Sequence, residues 1–375
     1  MKILQLGKFY PIRGGVEKVM YDLMLGLSGR GITCDMLCAT TEDHPGGTIA
    51  LNDYATLMVI PTQINLAATK LAPKMIRTLR KIAKNYDIIH VHHPDPMAAL
   101  ALYLSGYKGP VVLHWHSDIL KQKNLLKLYK PLQEWLIRRA NIIVGTTPVY
   151  VQQSPFLKEY QSKIDYIPIG ISPLAADMDN ALRIREKYHG KRIIFSLGRL
   201  VEYKGFEYLI KSAEQLDDSS IILIGGKGPL HDELNQLIQD RKLGDKVKLL
   251  GFLSDEEVPD YFAASDLFCM SSIMKTEAFG IVQLESMASG KPIVSTEIPT
   301  SGVSWVNENN VSGLTVPIEN TEAIAQAIKK MLENPAFYEQ LREGSLTRYQ
   351  ANFTLDNMVD KSLQIYNQIL SNYKV

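Results

Sequence analysis

The stretch Arg192–Gly205, RIIFSLGRLVEYKG, runs through a short, nearly unbroken apolar segment and then turns polar at a glycine. The apolar part is too short for a helix and apolar on both faces, which suits a strand buried in a parallel sheet. Similar runs follow it, SIILIG, KVKLLG, DLFCM, PIVST and GLTV, each trailed by an amphipathic stretch of helical period. The preceding half repeats the plan with KILQLG, ITCDMLCA, TLMVI, DIIHVH, PVVLHWH, NIIVGT and KIDYIPI. Alternation of this kind predicts an α/β fold with two doubly wound parallel sheets, each covered by helices on both sides. The break is expected in SPLAADMDN, residues 172–180, before the helix ALRIREKYHG. Ligands of such sheets bind beyond the carboxyl ends of the strands, so two of them facing each other would enclose a cleft.

The 375 residues are too many for one ordinary core, in keeping with two domains. No apolar run could span a bilayer, and Met1 leads straight into a strand with no cleavable leader, so a cytoplasmic protein is expected. Cys34, Cys38 and Cys269 are odd in number and lie in apolar runs, which reads as reduced core thiols. The net charge of +1 hides an asymmetry: residues 1–175 carry 20 Lys+Arg against 12 Asp+Glu, and the remainder is acidic. One basic cluster comprises Lys70, Lys74, Arg77, Arg80, Lys81 and Lys84; a second comprises Lys121, Lys123, Lys127, Lys130, Arg138 and Arg139. Both could be solvated helix faces, but two in one half also suit an anionic bilayer or a phosphorylated acceptor. Neither is interleaved with the aromatics that single-stranded nucleic acid needs.

The polar oddities fall at strand ends. Gly14 and Gly15 precede a helix beginning near Val16, where backbone N–H groups can meet a phosphate, although any tight strand-to-helix turn favours glycine. In VVLHWHSD, His114 and His116 share a strand face, and His116 is expected to reach the cleft; a satisfied core histidine is the plainer reading. His90, His92 and His93 close another strand but lack a guaranteed further metal ligand. Arg199 and Lys204 converge on one loop as a bidentate donor and a point charge, a combination suited to a diphosphate whose charge grows as a bond breaks. GGKGPL fails the dinucleotide fingerprint because His231 takes the last glycine position, which argues against a nicotinamide enzyme. The Asp-x-Asp at Asp177–Asp179 follows SPLAA rather than an apolar strand and is not read as a metal site.

EAFGIVQLE, Glu277–Glu285, sets two carboxylates around an apolar segment. The spacing of Phe279, Val282, Leu284 and Met287 predicts a helix from about Gly280, with Glu277 at its start and Glu285 more than a turn inside. A continuous helix would separate them by about 12 Å, farther than the paired carboxylates of glycosidases at about 5–9.5 Å. Two groups of one extended ligand suit them better, with backbone N–H groups of Phe279, Gly280 and Ile281 between.

These residues match the Glu-seven residues-Glu motif of retaining glycosyltransferases. In order, GGVE, HWHSDI, GRLVEYKG, GGKGP, GFLSDEEV, EAFGIVQLE and SGLTVP make the chain resemble glycosyltransferase family 4. The resemblance implies a GT-B fold of two Rossmann-like domains: residues 1–175 for the acceptor, 176–355 for the nucleotide sugar, and a final helix, 356–375, crossing back. It further implies that Arg199 and Lys204 grip the diphosphate, that Gly15 meets it from the opposite domain, that Gly14 and Gly228 also belong to the donor site, and that Glu285 binds the ribose. Glu277 would hold a sugar hydroxyl, Phe279, Gly280 and Ile281 would offer backbone to sugar and phosphate, His116 would sit near the reacting carbon, and Leu253 would mark where the base is read. No metal and no cofactor are implied beyond the donor, a GDP-sugar or UDP-sugar. The expected activity is retaining transfer of a hexose, mannose as the first choice, to a saccharide or polyprenyl-diphosphate-linked acceptor in surface polysaccharide or glycoconjugate synthesis. A peripheral site at the inner face of the cell membrane would go with it. A nucleotide-sugar epimerase of the same plan is the alternative, and a non-catalytic sugar-binding protein a third.

Overall fold

The computed structural model describes residues 1–41, 44–66, 69–119 and 123–373. It divides into two units, Met1–Gly170 with Leu355–Val375, and Ile171–Thr354. The first unit contains β1 (Lys2–Tyr10), β2 (Thr33–Thr40), β3 (Gly47–Asn52), β4 (Ala55–Ile60), β5 (Ile64–Leu66), β6 (Thr69–Leu71), β7 (Ile88–His93), β8 (Val111–Trp115), β9 (Ile142–Gly145) and β10 (Ile164–Tyr166). Eight of them form one sheet in the order β10-β9-β8-β7-β1-β2-β4-β3, while β5 and β6 pair separately. Every pairing in the large sheet is parallel except the edge pair of β3 and β4. The central strands are buried throughout β7 and β8 because helices cover both faces. The strand order reverses beside β1, whose neighbours are β2 and β7, so the crevice expected at a topological switch point lies at the ends of β1 and β7.

The helix Leu355–Tyr373 belongs to this unit and packs on the helix Gly15–Gly29. Gly26 makes the approach possible, since a Cβ there would stand 2.5 Å from Val359 Cγ2. Arg30 pairs with both Asp356 and Asp360 across the same contact.

The second unit contains β11 (Arg192–Leu197), β12 (Ser220–Gly225), β13 (Val247–Gly251), β14 (Leu267–Met270), β15 (Ile293–Glu297) and β16 (Gly313–Pro317). They form a parallel sheet in the order β13-β12-β11-β14-β15-β16, with the strand order reversing between β11 and β14. Ile194, Ile222, Leu267 and Val294 from the strands interlock with Leu209, Ile328 and Leu341 from the helices in one core.

The apolar runs of the sequence correspond to strands in both units. Unanticipated were β3, whose residues alternate in exposure along a sheet edge, and β5 and β6, three residues each. No helix among the described residues is long and apolar enough to cross a membrane.

Candidate functional site

In the second unit the loops after β11 and β14 are stitched together at the switch point. Ile273 N donates to Tyr203 O at 2.8 Å and Ser271 Oγ to Lys204 O at 3.0 Å. Gly205 is in the left-handed region (φ 60°), and a Cβ there would lie 2.3 Å from Ser271 O, so only glycine permits the contact. The joint delivers Lys204 Nζ to within 2.5 Å of Glu277 Oε2, both side chains 12% exposed. Ser272 Oγ donates to the same carboxylate oxygen at 3.0 Å, and Ser301 Oγ to the Glu277 carbonyl at 2.5 Å. Burial depresses the Lys204 pKa, but Glu277 and Tyr203 outweigh it and raise the net value, with Arg199 opposing. Lys204 therefore stays a cation, held at one point and close to an exposed second cation, Arg199.

The segment after Glu277 differs from the helix the apolar spacing predicts. The helix is Val282–Ala288, Ile281 caps it, and Glu285 lies in its first turn rather than deeper. Gly280 causes the delay: its φ is 74°, and a Cβ would stand 2.9 Å from both Gln283 Nε2 and Met270 Sδ. Phe279 is buried against Phe353, ring centroids 6.1 Å apart, so its apolar spacing reflects the core and only its backbone is left for a ligand. Gly228 has a packing reason of its own, because a Cβ there would meet Leu200 O at 2.2 Å. Leu253 is buried against Gly225, next to Phe252, which is 62% exposed with Lys227 Nζ 5.0 Å above its ring.

In the first unit Gly14 (φ 121°) caps the helix Gly15–Gly29, and Gly15 (φ 58°) opens it. Beside them, at the end of β1, Lys8 is buried: its Nζ donates to Pro94 O at 2.7 Å and its N–H to Asp95 Oδ2 at 2.6 Å. Asp95 in turn accepts from Ala98 N and caps the next helix, Pro96–Ser105.

The histidines of β7 and β8 form a buried ladder. His92 and His114 are register partners, and the rings of His90, His92, His114 and His116 stack at centroid distances of 4.0–5.2 Å. His116 is buried, with Nε2 2.8 Å from His92 Nδ1; His92 Nε2 is 2.6 Å from Gln5 Oε1, and His90 Nδ1 is 2.6 Å from Tyr366 OH. Burial, then the neighbouring histidines and Lys8, keeps His92 and His116 well below the usual histidine pKa and therefore neutral. His114 brings His90 and His92 the third ring that the sequence left open, with ligand atoms within 4.8 Å of one another. Those three rings lie within 28° of parallel, so their in-plane lone pairs run side by side instead of converging, and both nitrogens of His92 are already hydrogen-bonded. The ladder is a poor match for an ion's coordination shell.

Other motifs have structural duties. Trp115 Nε1 and Ser154 Oγ both donate to Asp118 Oδ1, which fixes the end of HWHSD. Asp177 caps the helix Met178–Lys187 by accepting from Asp179 N and Asn180 N. The three cysteines are buried and free, their thiols pushed up to about 12 by burial. Sequence reasoning missed Gln5, Lys8, Ser272 and Tyr366. A glutamine inside an apolar strand was the available signal for Gln5; Tyr366 lies 361 residues from it and gave none.

The family model described as Glycosyltransferase Family 4 matches residues 13–173, and that described as Glycosyl transferases group 1 matches residues 177–347. Among similar proteins is O-antigen chain mannosyltransferase C of Escherichia coli, 32% identical over 375 residues, covering 99% of each chain. D-rhamnosyltransferase WbpZ of Pseudomonas aeruginosa is 31% identical, covering 94% of this chain and 92% of its own. Of solved structures, sucrose-phosphate synthase from Thermosynechococcus elongatus superposes with a TM-score of 0.80 at 20% identity, covering 99% of this chain and 100% of that one. Anabaena HepE, in complex with UDP and glucose, gives 0.77 at 21%, covering 98% and 99%. The fold is GT-B, and the chain belongs to glycosyltransferase family 4, with a family 4 domain followed by a group 1 domain.

Proposed function

We propose that this glycosyltransferase moves a hexose, mannose first, from a nucleoside diphosphate sugar to a saccharide or polyprenyl-diphosphate-linked acceptor, with retention at the anomeric carbon, during surface polysaccharide or glycoconjugate synthesis. The observation that carries the reading is the Lys204–Glu277 pair at the β11/β14 switch point. A buried cation beside an exposed arginine is suited to the charge that develops on a departing diphosphate, and a carboxylate fixed by a serine is suited to a sugar hydroxyl. Glu285, in the first turn of the next helix, takes the ribose, and Leu253 with the exposed Phe252 borders the base. Attack from the face of the leaving group, whose phosphate oxygen accepts the acceptor's proton, needs no protein nucleophile. The mannosyl- and rhamnosyltransferase names of the relatives favour GDP-mannose as donor, and the comparisons offer nothing in favour of an epimerase.

The lipid side of the reading rests on one surface of the first unit. Lys74, Arg77, Lys81 and Lys84 are exposed on and just after the helix Lys74–Ile82, and Lys127, Lys130 and Arg138 on Lys123–Arg139. The helix Pro96–Ser105 lies between them with exposed Tyr103 and Leu104, and Leu128 is 82% exposed. Lys121 lies outside the described residues. Cations around apolar side chains suit the headgroup region of an anionic bilayer. The test is a transfer assay with GDP-mannose and UDP-hexoses: nucleoside diphosphate release that depends on acceptor supports the reading, and an epimerised donor without release overturns it.

A further inference from the structure

The hydrogen-bond chain that ends on His116 runs along one face of the first unit's sheet, from the end of β8 across β7 and β1 to the last helix. Tyr366 OH lies 2.6 Å from His90 Nδ1 and 3.5 Å from Gln5 Nε2; Gln5 Oε1 lies 2.6 Å from His92 Nε2; and His92 Nδ1 lies 2.8 Å from His116 Nε2. Four elements contribute, β1, β7, the residue after β8, and the helix Leu355–Tyr373.

The donors and acceptors follow one another. With its amide nitrogen toward Tyr366 OH and Cys34 Sγ, Gln5 turns its carbonyl oxygen to His92, and a carbonyl can only accept. His92 must then carry its proton on Nε2, which leaves Nδ1 as an acceptor. Among the described residues, the proton that acceptor takes is the one on His116 Nε2. We infer that Gln5 and His92 are positioning residues that hold His116 in a single neutral tautomer, Nε2 protonated and Nδ1 an acceptor, with Tyr366 anchoring the far end. The ring is clamped as well as polarised, since it stacks on His114 at 4.0 Å and on His92 at 5.1 Å. A second proton is disfavoured by burial, by the stacked histidines and by Lys8.

The consequence for substrate rests on the reading in which His116 meets the transferred sugar. A neutral His116 that only accepts at Nδ1 selects a hydroxyl that donates to it, and fixes the direction of that hydroxyl's proton. Reversing the chain would turn acceptor into donor and cost the match.

The experiment is nitrogen-15 NMR of the full-length protein labelled at histidine, with the His116 signals identified by their loss in His116→Gln. The expected wild-type pattern near neutral pH is a protonated Nε2 and a bare Nδ1. Gln5→Leu and His92→Phe should abolish that pattern and lower kcat for hexose transfer by about tenfold or more, the value of one oriented hydrogen bond in the transition state, with little change in donor KM. His92→Asn, whose side-chain oxygen can stand in for Nδ1, should recover part of both. If Gln5→Leu does not fold by circular dichroism, the contrast between His92→Asn and Tyr366→Phe carries the test, with Tyr366→Phe expected to mix the tautomers. A wild-type His116 protonated at Nδ1, or a pattern and a kcat unmoved by these changes, overturns the inference. A wild-type protein that shows the tautomer yet transfers no hexose from any donor defeats the functional reading and leaves the positioning role standing.

Discussion

The two units place opposite chemistry on their inner strands. The first gathers neutral rings, stacked and buried, along β7 and β8 and just beyond. The second gathers a cation and an anion in contact at the ends of β11 and β14. A neutral ladder gives direction without charge, which suits a sugar's hydroxyls. An ion pair gives charge with little reorganisation, which suits a leaving diphosphate. One contact between Lys204 Nζ and Glu277 Oε2 leaves further donors on the ammonium and acceptor sites on the carboxylate, so the pair can meet a ligand without being separated.

The strongest way to break this contrast is to neutralise the charged side. Lys204→Gln should lower kcat/KM by about 10²–10³ or more, and Glu277→Gln by a similar factor, measured as nucleoside diphosphate release. Lys204→Ala should also destabilise the second unit by about 3–5 kcal/mol, because Glu277 is left buried without its counter-charge. The double variant Lys204→Gln/Glu277→Gln should recover most of that stability and none of the activity. A double variant that transfers hexose normally would remove the charges from the account.

Acid sharpens the contrast from the other side. His90, His92, His93, His114 and His116 all have pKa values depressed by burial, to about 3 for His93 and His114. An unfolded histidine titrates near about 6.5, so as pH falls the unfolded chain takes up protons first. Stability is complete above about pH 6.5 and is lost progressively as pH falls toward the folded values, at up to about 1.4 kcal/mol per histidine per pH unit. His189 and His231 in the second unit are exposed. The first unit should therefore loosen first, seen as lost hydrogen-exchange protection in β7 and β8; equal loss in both units would contradict the ladder's neutrality.

A smaller effect separates packing from binding in the second unit. Gly228→Ala should cost about 1–3 kcal/mol by forcing Leu200 away, equally with and without donor in a thermal melt. A loss seen only with donor would make Gly228 a binding residue first. Smallest is the basic surface: Arg77→Glu with Lys81→Glu should weaken sedimentation with anionic vesicles by about 1 kcal/mol per charge removed, and no vesicle binding by the wild type at low salt would end the lipid reading.

Much of the architecture was legible because a strand buried on both faces leaves an unmistakable apolar run, as in RIIFSLG and SIILIG. Edge strand β3 was not, since four of its six residues are exposed and the pattern dissolves. Lys204 and Glu277 stood out as charges at strand ends, yet their contact depends on Gly205 and Ser271, which join loops 67 residues apart. The helix start was misplaced because Phe279 is apolar for the sake of Phe353, while the positive φ of Gly280 interrupts the chain. The tautomer chain was hidden for a related reason: Gln5, His92 and Tyr366 meet only once β1, β7 and the last helix are assembled.

Whether the Lys204–Glu277 pair holds a nucleotide sugar is read from the thermal midpoint of the wild type and of Lys204→Gln/Glu277→Gln as GDP-mannose and UDP-hexoses are titrated. A ligand bound only by the folded state adds about 2.7 kcal/mol at a hundred times its Kd. One nucleotide sugar should raise the wild-type midpoint in this way and leave the double variant nearly unmoved. Equal shifts in both proteins, or no shift of the wild type with any nucleotide sugar, would contradict it.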